Sequence, residues 1–143
     1  MTSDLSRVVL DANIMVSALL GRSFPLLLEL FERGVELFAP VHQLAETRKK
    51  MTERPGLEGE WIDAQMERLI TVVRPLHPAL IQPYETQARA RLHERGQPDW
   101  PVLAGSMATD GAVWSHDKDF FGSGAPVWST WVIRRELARA VDA

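Results

Sequence analysis

The chain has 143 residues, 45% of them hydrophobic and 24% charged, with a formal net charge of −3 at pH 7 and no cysteine. That length and balance fit a single globular domain spanning residues 1–143, large enough to bury a sizeable core. They exclude a disulfide framework, a thiolate nucleophile and a cysteine-based zinc site, and no apolar run approaches the roughly 18 residues needed to span a bilayer.

The first residues, Met1 to Arg7, are polar and include Asp4, so they lack the basic-then-apolar form of a secretion signal. A cytoplasmic location is therefore expected. Arg7-Val8-Val9-Leu10 reads as a short buried strand of the parallel type, ending at Asp11. From Asn13, the residues Ile14, Val16, Leu19 and Leu20 predict a helix that stops at Gly21. Ser23 is placed to cap the next helix, with Pro25 in its first turn, Leu27, Leu28, Leu30 and Phe31 turned inward, and Gly34 at its end. Val35 to Ala39 predicts a second strand, and Pro40 opens a turn into a polar helix that carries Glu46.

Pro55-Gly56 breaks the chain before a helix with Ile62, Met66 and Leu69 on one face. Leu69 to Arg74 predicts a third strand, stopped by Pro75 and Pro78. Ile81, Tyr84, Ala88 and Leu92 trace the stripe of one long helix closed by Gly96. Asp99 precedes another helix through Val102, Leu103 and Met107. Strands follow at Ala112 to Ser115 and at Ala125 to Trp128, and a helix runs from about Trp131 to Val141. Short apolar strands alternating with helices, without internal repeats, predict an α/β fold: a three-layer α/β/α sandwich with a mainly parallel central sheet. Sites in such sheets lie at the carboxyl ends of the strands. The five tryptophans read mostly as core.

Four acidic positions stand out at strand or helix ends. Asp11 follows three apolar strand residues, where a carboxylate is costly unless paired or metal-bound, and it also suits a helix N-cap. Glu46 reads either as a site residue or as a surface glutamate paired with Lys49 or Lys50 one turn on. Asp99, between Pro98 and Trp100-Pro101, suits an N-cap and can still turn an oxygen to a metal. Asp117 and Asp119, one residue apart beyond a strand, fit cation binding better than capping alone. Ser115 is placed to hydrogen-bond a carboxylate, and His116 reads as peripheral. The four histidines are scattered, without zinc spacing. No phosphate-cradling glycine loop and no nucleophile elbow is present. All-oxygen donors gathered in one acidic pocket point to Mg²⁺ or Mn²⁺.

The net charge does not advertise a nucleic-acid binder. Local basic clusters remain at Arg48-Lys49-Lys50, at Arg89, Arg91 and Arg95, and at Arg134, Arg135 and Arg139, each of which taken singly reads as a solvated helix face.

Val8-Val9-Leu10-Asp11-Ala12-Asn13-Ile14, the run Asp99-Trp100-Pro101-Val102-Leu103-Ala104, and Val113-Trp114-Ser115-His116-Asp117-Lys118-Asp119-Phe120-Phe121 together resemble the PIN-domain ribonucleases. The likeness is greatest to the small toxins of VapBC-type toxin–antitoxin pairs and covers nearly the whole chain. It implies catalytic, metal-holding acids at Asp11, Glu46, Asp99 and Asp117, with Asn13, Ser115 and Asp119 in support. Glu46 is the loosest of these matches, with Glu53 nearby as a competing acid. The resemblance further implies Mg²⁺ or Mn²⁺ dependence, cleavage of single-stranded RNA, a homodimer, and an antitoxin that blocks the site. Two other readings remain open. One is a catalytically silent PIN-like module that only binds RNA or protein. The other is an aspartate-nucleophile phosphatase, because Asp11-Ala12-Asn13 partly matches the Asp-x-Asp loop of haloacid-dehalogenase-type enzymes.

Overall fold

The computed structural model describes residues 5–142, so the expectations drawn from Met1 to Asp4 lie outside the described residues. Five parallel strands form one sheet: β1 (Arg7–Leu10), β2 (Glu36–Pro40), β3 (Val73–Leu76), β4 (Ala112–Trp114) and β5 (Val127–Trp128), in the order β3-β2-β1-β4-β5. The expected parallel sheet and three-layer arrangement are what the chain adopts.

Alternation along the strands divides the core in two. Val8 and Leu10 of β1 and Leu37 and Ala39 of β2 face one side. They pack there against α1 (Ala12–Leu19), α2 (Phe24–Glu32), α4 (Gly59–Ile70) and α8 (Thr130–Asp142), with Met51 of α3 (Val41–Thr52) joining them. Val9, Phe38 and Val113 face the other side, against α5 (Pro78–Ile81), α6 (Glu85–Ala90) and α7 (Trp100–Thr109). Strands covered on both faces need apolar side chains at successive positions, and the run Val8-Val9-Leu10 supplies them.

Several local expectations change. The third strand starts at Val73 rather than Leu69, because α4 runs on to Ile70. Pro75 lies inside this strand instead of ending it, which is tolerated because β3 is an edge strand whose outer side needs no ladder donor. The long helix expected across Ile81 to Gly96 is instead α5, a 3₁₀ turn at Gln82–Tyr84, α6 and a second 3₁₀ segment at Glu94–Asp99. Pro83, with no N–H to give, interrupts it. Ile81, Ala88 and Leu92 are still buried, so the apolar stripe was real while the helix was not continuous.

In α2, Phe24, Leu26, Leu27 and Leu30 are inward, whereas Leu28 and Phe31 are exposed. Ser23 makes no side-chain cap, and its hydroxyl meets that of Ser17 at 3.2 Å. Only two tryptophans, Trp100 and Trp114, are buried, while Trp61 and Trp131 are exposed.

Among the described residues no single helix is long and apolar enough to cross a membrane. The helix-to-sheet contact is close at Gly105 of α7, where an added Cβ would lie 3.2 Å from both Leu76 Cδ1 and Val9 Cγ1. Gly105→Val is expected to lower stability by about 1–3 kcal/mol through overpacking, read as a lower urea midpoint with an unchanged slope.

Candidate functional site

Strand order reverses between β1 and β4, since β2 and β3 lie to one side of β1 and β4 and β5 to the other. A crevice opens outside the carboxyl ends of the strands at such a switch point. Leu10 pairs with Trp114 in the ladder, so Asp11 and Ser115 leave their strands side by side.

Asp11 is 5% exposed and caps α1, its Oδ1 accepting from Ile14 N–H at 2.9 Å. Its Oδ2 accepts from the Ser115 hydroxyl in a very short hydrogen bond. The same Ser115 Oγ accepts from Asp117 N–H at 2.9 Å, and Asp117 Oδ1 accepts from Asp119 N–H at 2.8 Å. A relay therefore runs from Asp11 through Ser115 to Asp117 and Asp119, and it sets the path of the chain beyond β4. Both readings of Asp11 hold together: it caps a helix and it sits in the acidic centre.

Asp99 stands at the head of α7 but makes no side-chain cap. Its carboxylate is left half-buried beside other acids, and Asp99, Asp117 and Asp119 can each place one oxygen within 4.8 Å of the others. Burial, then the charges of Asp117 and Asp11, push the Asp99 pKa up to about 6. Burial also raises that of Asp11, against the lowering effect of its bonds to Ser115 and Ile14. Gly96 lets the 3₁₀ segment approach this cluster, since a Cβ there would lie 3.0 Å from Asp119 Cβ. Exposed Arg95 reaches Asp119 at 3.0 Å and partly neutralises it.

A cleft of about 340 Å³ opens over these groups, lined among others by Asp11, Asn13, Glu46, Asp99, Trp100 and Asp117. All four acids singled out in the sequence thus share one cavity. Asp119 is not among its lining residues and joins through its neighbours Asp99 and Asp117. Lys50 donates to Asn13 Oδ1 at 2.7 Å, so it turns to the cleft and not to Glu46. His116 is exposed and meets Thr130 Oγ1 at 3.0 Å, in the peripheral place expected of it. Trp100 is buried, with His42 edge-on and the Arg89 guanidinium 5.4 Å from its ring centre. It is a wall of the site more than an open stacking platform.

Sequence reasoning missed Gln43. This side chain is buried, and its Oε1 accepts from Ala12 N–H at 2.8 Å, tying α3 to the first turn of α1. The signal was present: Gln43, Glu46 and Lys50 recur at three- and four-residue spacing, a polar stripe on one helix face.

The fold and this site define a class. The PIN-domain family model matches residues 9–138, and the chain belongs to the PIN-domain family. No curated protein sequence matches it significantly. Among solved structures, VapBC2 from Rickettsia felis, bound to a DNA fragment from its promoter, matches at TM-score 0.69 and 16% identity, over 86% of this chain and 98% of the other. FitAcB from Neisseria gonorrhoeae matches at 0.62 and 20%, over 87% and 98%. VapBC-1 from nontypeable Haemophilus influenzae matches at 0.64 and 16%, over 86% and 97%.

The crowded carboxylates give three expected outcomes. With its folded pKa near 6 against 3.8 unfolded, Asp99 keeps a proton in the folded state between about pH 4 and 6 that the unfolded chain has released. Stability of the metal-free protein should therefore fall as pH rises through that window and level off above it. Asp99→Asn is expected to stabilise the protein in EDTA at pH 7 by about 1 kcal/mol, after allowance for solvent screening, and to have no effect below pH 4. Thermal denaturation from about pH 3 to pH 8 measures both. Ser115→Ala strips Asp11 of its buried partner and should cost about 1–3 kcal/mol in the same assay.

Proposed function

We propose that this protein is a divalent-metal-dependent endoribonuclease that hydrolyses phosphodiester bonds of RNA, acting as the toxin of a toxin–antitoxin pair. The observation that carries the reading is the convergence of Asp99, Asp117 and Asp119 within 4.8 Å of one another, with Asp99 and Asp117 lining a cleft that Asp11 and Glu46 also line. The donor set fits Mg²⁺ or Mn²⁺: it is all carboxylate oxygen, and burial together with the charges of Asp117 and Asp11, which raise the Asp99 pKa, is a penalty that a divalent cation would relieve. Such an ion supplies a Lewis acid that acidifies water and neutralises charge on a phosphodiester.

The chain's own residues divide the remaining work. Asp99 and Asp117 would hold the ion, with Asp11 and Asp119 beside them, and Glu46, which lines the same cleft, would orient water or share a second ion. Ser115 holds Asp11 and the Asp117 backbone in register. Gln43 keeps α3, and with it Glu46, against the start of α1. Trp100 and His42 narrow the cleft from the side of α7 and α3.

The phosphatase reading needs a carboxylate free to attack phosphorus. Asp11 is nearly fully buried, with both oxygens accepting hydrogen bonds, which argues against that role. The toxin reading draws support from family membership and from neighbours whose solved forms are VapBC and FitAB assemblies. A cognate antitoxin, a homodimer and a cytoplasmic site of action go with it.

The test is cleavage of a fluorescent single-stranded RNA in Mg²⁺ or Mn²⁺. The wild type should cut, EDTA should stop it, and Asp117→Asn should lower the rate by roughly 100-fold or more while the fold is retained. RNA binding with no cleavage in either metal would instead favour the silent module. Mn²⁺ should also raise the melting temperature of the wild type, by mass action on the folded state, and should raise that of Asp99→Asn far less.

A further inference from the structure

A second cavity, of about 550 Å³, lies next to the acidic cleft and is lined by Asn13, Val16, Ser17, Leu20, Arg22 and Arg54. Asn13 belongs to the walls of both cavities, and Lys50, which donates to Asn13, stands on the acidic side of that boundary. No acidic side chain lines the second cavity. Both of its arginines are exposed, and among the described residues neither has a carboxylate within ion-pair distance. Several other arginines are ion-paired, Arg48 with Asp63, Arg89 with Glu85, Arg95 with Asp119 and Arg139 with Glu136.

The backbone carrying these two cations is held firmly. α1 closes in a Schellman arrangement, with Gly21 at φ 101°, its N–H donating to Ala18 O at 3.1 Å, and Arg22 N–H donating to Ser17 O at 3.2 Å. The Ser17–Ser23 hydroxyl pair braces the same turn. Arg54 follows the end of α3, its N–H donating to Met51 O at 3.1 Å, just before Pro55. Two helix ends that pack side by side thus each present an unpaired guanidinium to one groove, and a lysine continues the line to the acidic centre.

We infer that Arg22 and Arg54, continued by Lys50, form a phosphate-binding track for the RNA strand on one side of the scissile bond. The inference rests on the nuclease reading above and goes beyond it by assigning where the strand runs. Guanidinium groups in a groove without acids suit phosphate, which takes two parallel N–H donors from each. Continuity matters equally: a polyanion entering an acidic cleft gains from cations immediately outside it. Arginines at helix ends also complement the negative end of the helix dipole, and a role limited to that would leave RNA binding untouched. An acidic protein segment would meet the same charges, but it would have no reason to continue toward the acidic centre.

The experiment compares wild type with Arg22→Gln/Arg54→Gln, using a twelve-residue oligouridylate labelled at one end. Binding is read by fluorescence anisotropy in EDTA across a salt series, and cleavage in Mn²⁺. Two lost phosphate contacts should reduce the salt slope of log K by about 1.4. KM for the oligomer should rise roughly tenfold with kcat unchanged, as expected when uniform binding is removed. Turnover of bis(p-nitrophenyl) phosphate, too short to reach the groove, should not change.

Equal salt slopes for the two proteins would overturn the track whether or not the wild type cleaves, and so would equal KM where it does. A variant that binds an oligoglutamate peptide more weakly than wild type does, yet binds RNA equally well, would overturn it in favour of a protein partner. If the wild type binds without cutting and the variant loses the salt slope, the track stands and the nuclease reading falls.

Discussion

The Ser115 hydroxyl lying against buried Asp11 is the contact on which the site depends. It joins the exits of β1 and β4, the two strands that flank the switch in sheet order, and it does so with a carboxylate that burial alone would disfavour. One oxygen of Asp11 fastens the first turn of α1 and the other fastens the loop beyond β4. Through Ser115 the constraint passes to Asp117, and through Asp117 to Asp119. A carboxylate can accept several hydrogen bonds at once, and a hydroxyl can both donate and accept, so this pair organises two chain segments with one contact.

That arrangement concentrates negative charge where the strand dipoles do little to offset it. Asp99, uncapping and half-buried, takes the strain as a pKa near 6. The only cation paired to the cluster among the described residues is Arg95, exposed and bound to Asp119 at its margin. No other acid of the centre has an ion-paired cation among the described residues, while Lys50 lines the same cleft and Arg22 and Arg54 stand just outside it. A chain of net charge −3 thereby combines an acidic interior site with a basic approach. The total charge conceals this, because it averages over groups that never act at the same place.

Much of the fold was legible because the strands are short and the central ones, β1 and β4, are covered on both faces. Val8-Val9-Leu10 and Ala112-Val113-Trp114 have no polar residue to show a solvent face, and they end at polar residues that can only lie beyond the sheet. Errors fell where local signals compete. Pro75 looked like a terminator because the sequence does not say which strand is at an edge. The stripe Ile81, Ala88 and Leu92 marked the right buried residues, but its regularity hid the break at Pro83. Trp131 and Trp61 looked like core because of their type alone, yet they lie exposed.

The acids themselves were legible one by one, each at the end of an element, and their order along the chain matched a known pattern. Residue spacing determined that Asp117 and Asp119 follow a strand and that Asp99 heads a helix. Tertiary structure alone decided that Asp99 leaves its helix uncapped and meets Asp117 and Asp119, since nothing local distinguishes a capping aspartate from a free one. It also decided the role of Gln43, whose partner Ala12 lies 31 residues away, and the meeting of Arg22 with Arg54 at two neighbouring helix ends. Hydrophobic periodicity is written in the sequence because burial acts on every turn of the chain. Polar partnerships between distant segments are not, because they depend on which strand ends the sheet brings together.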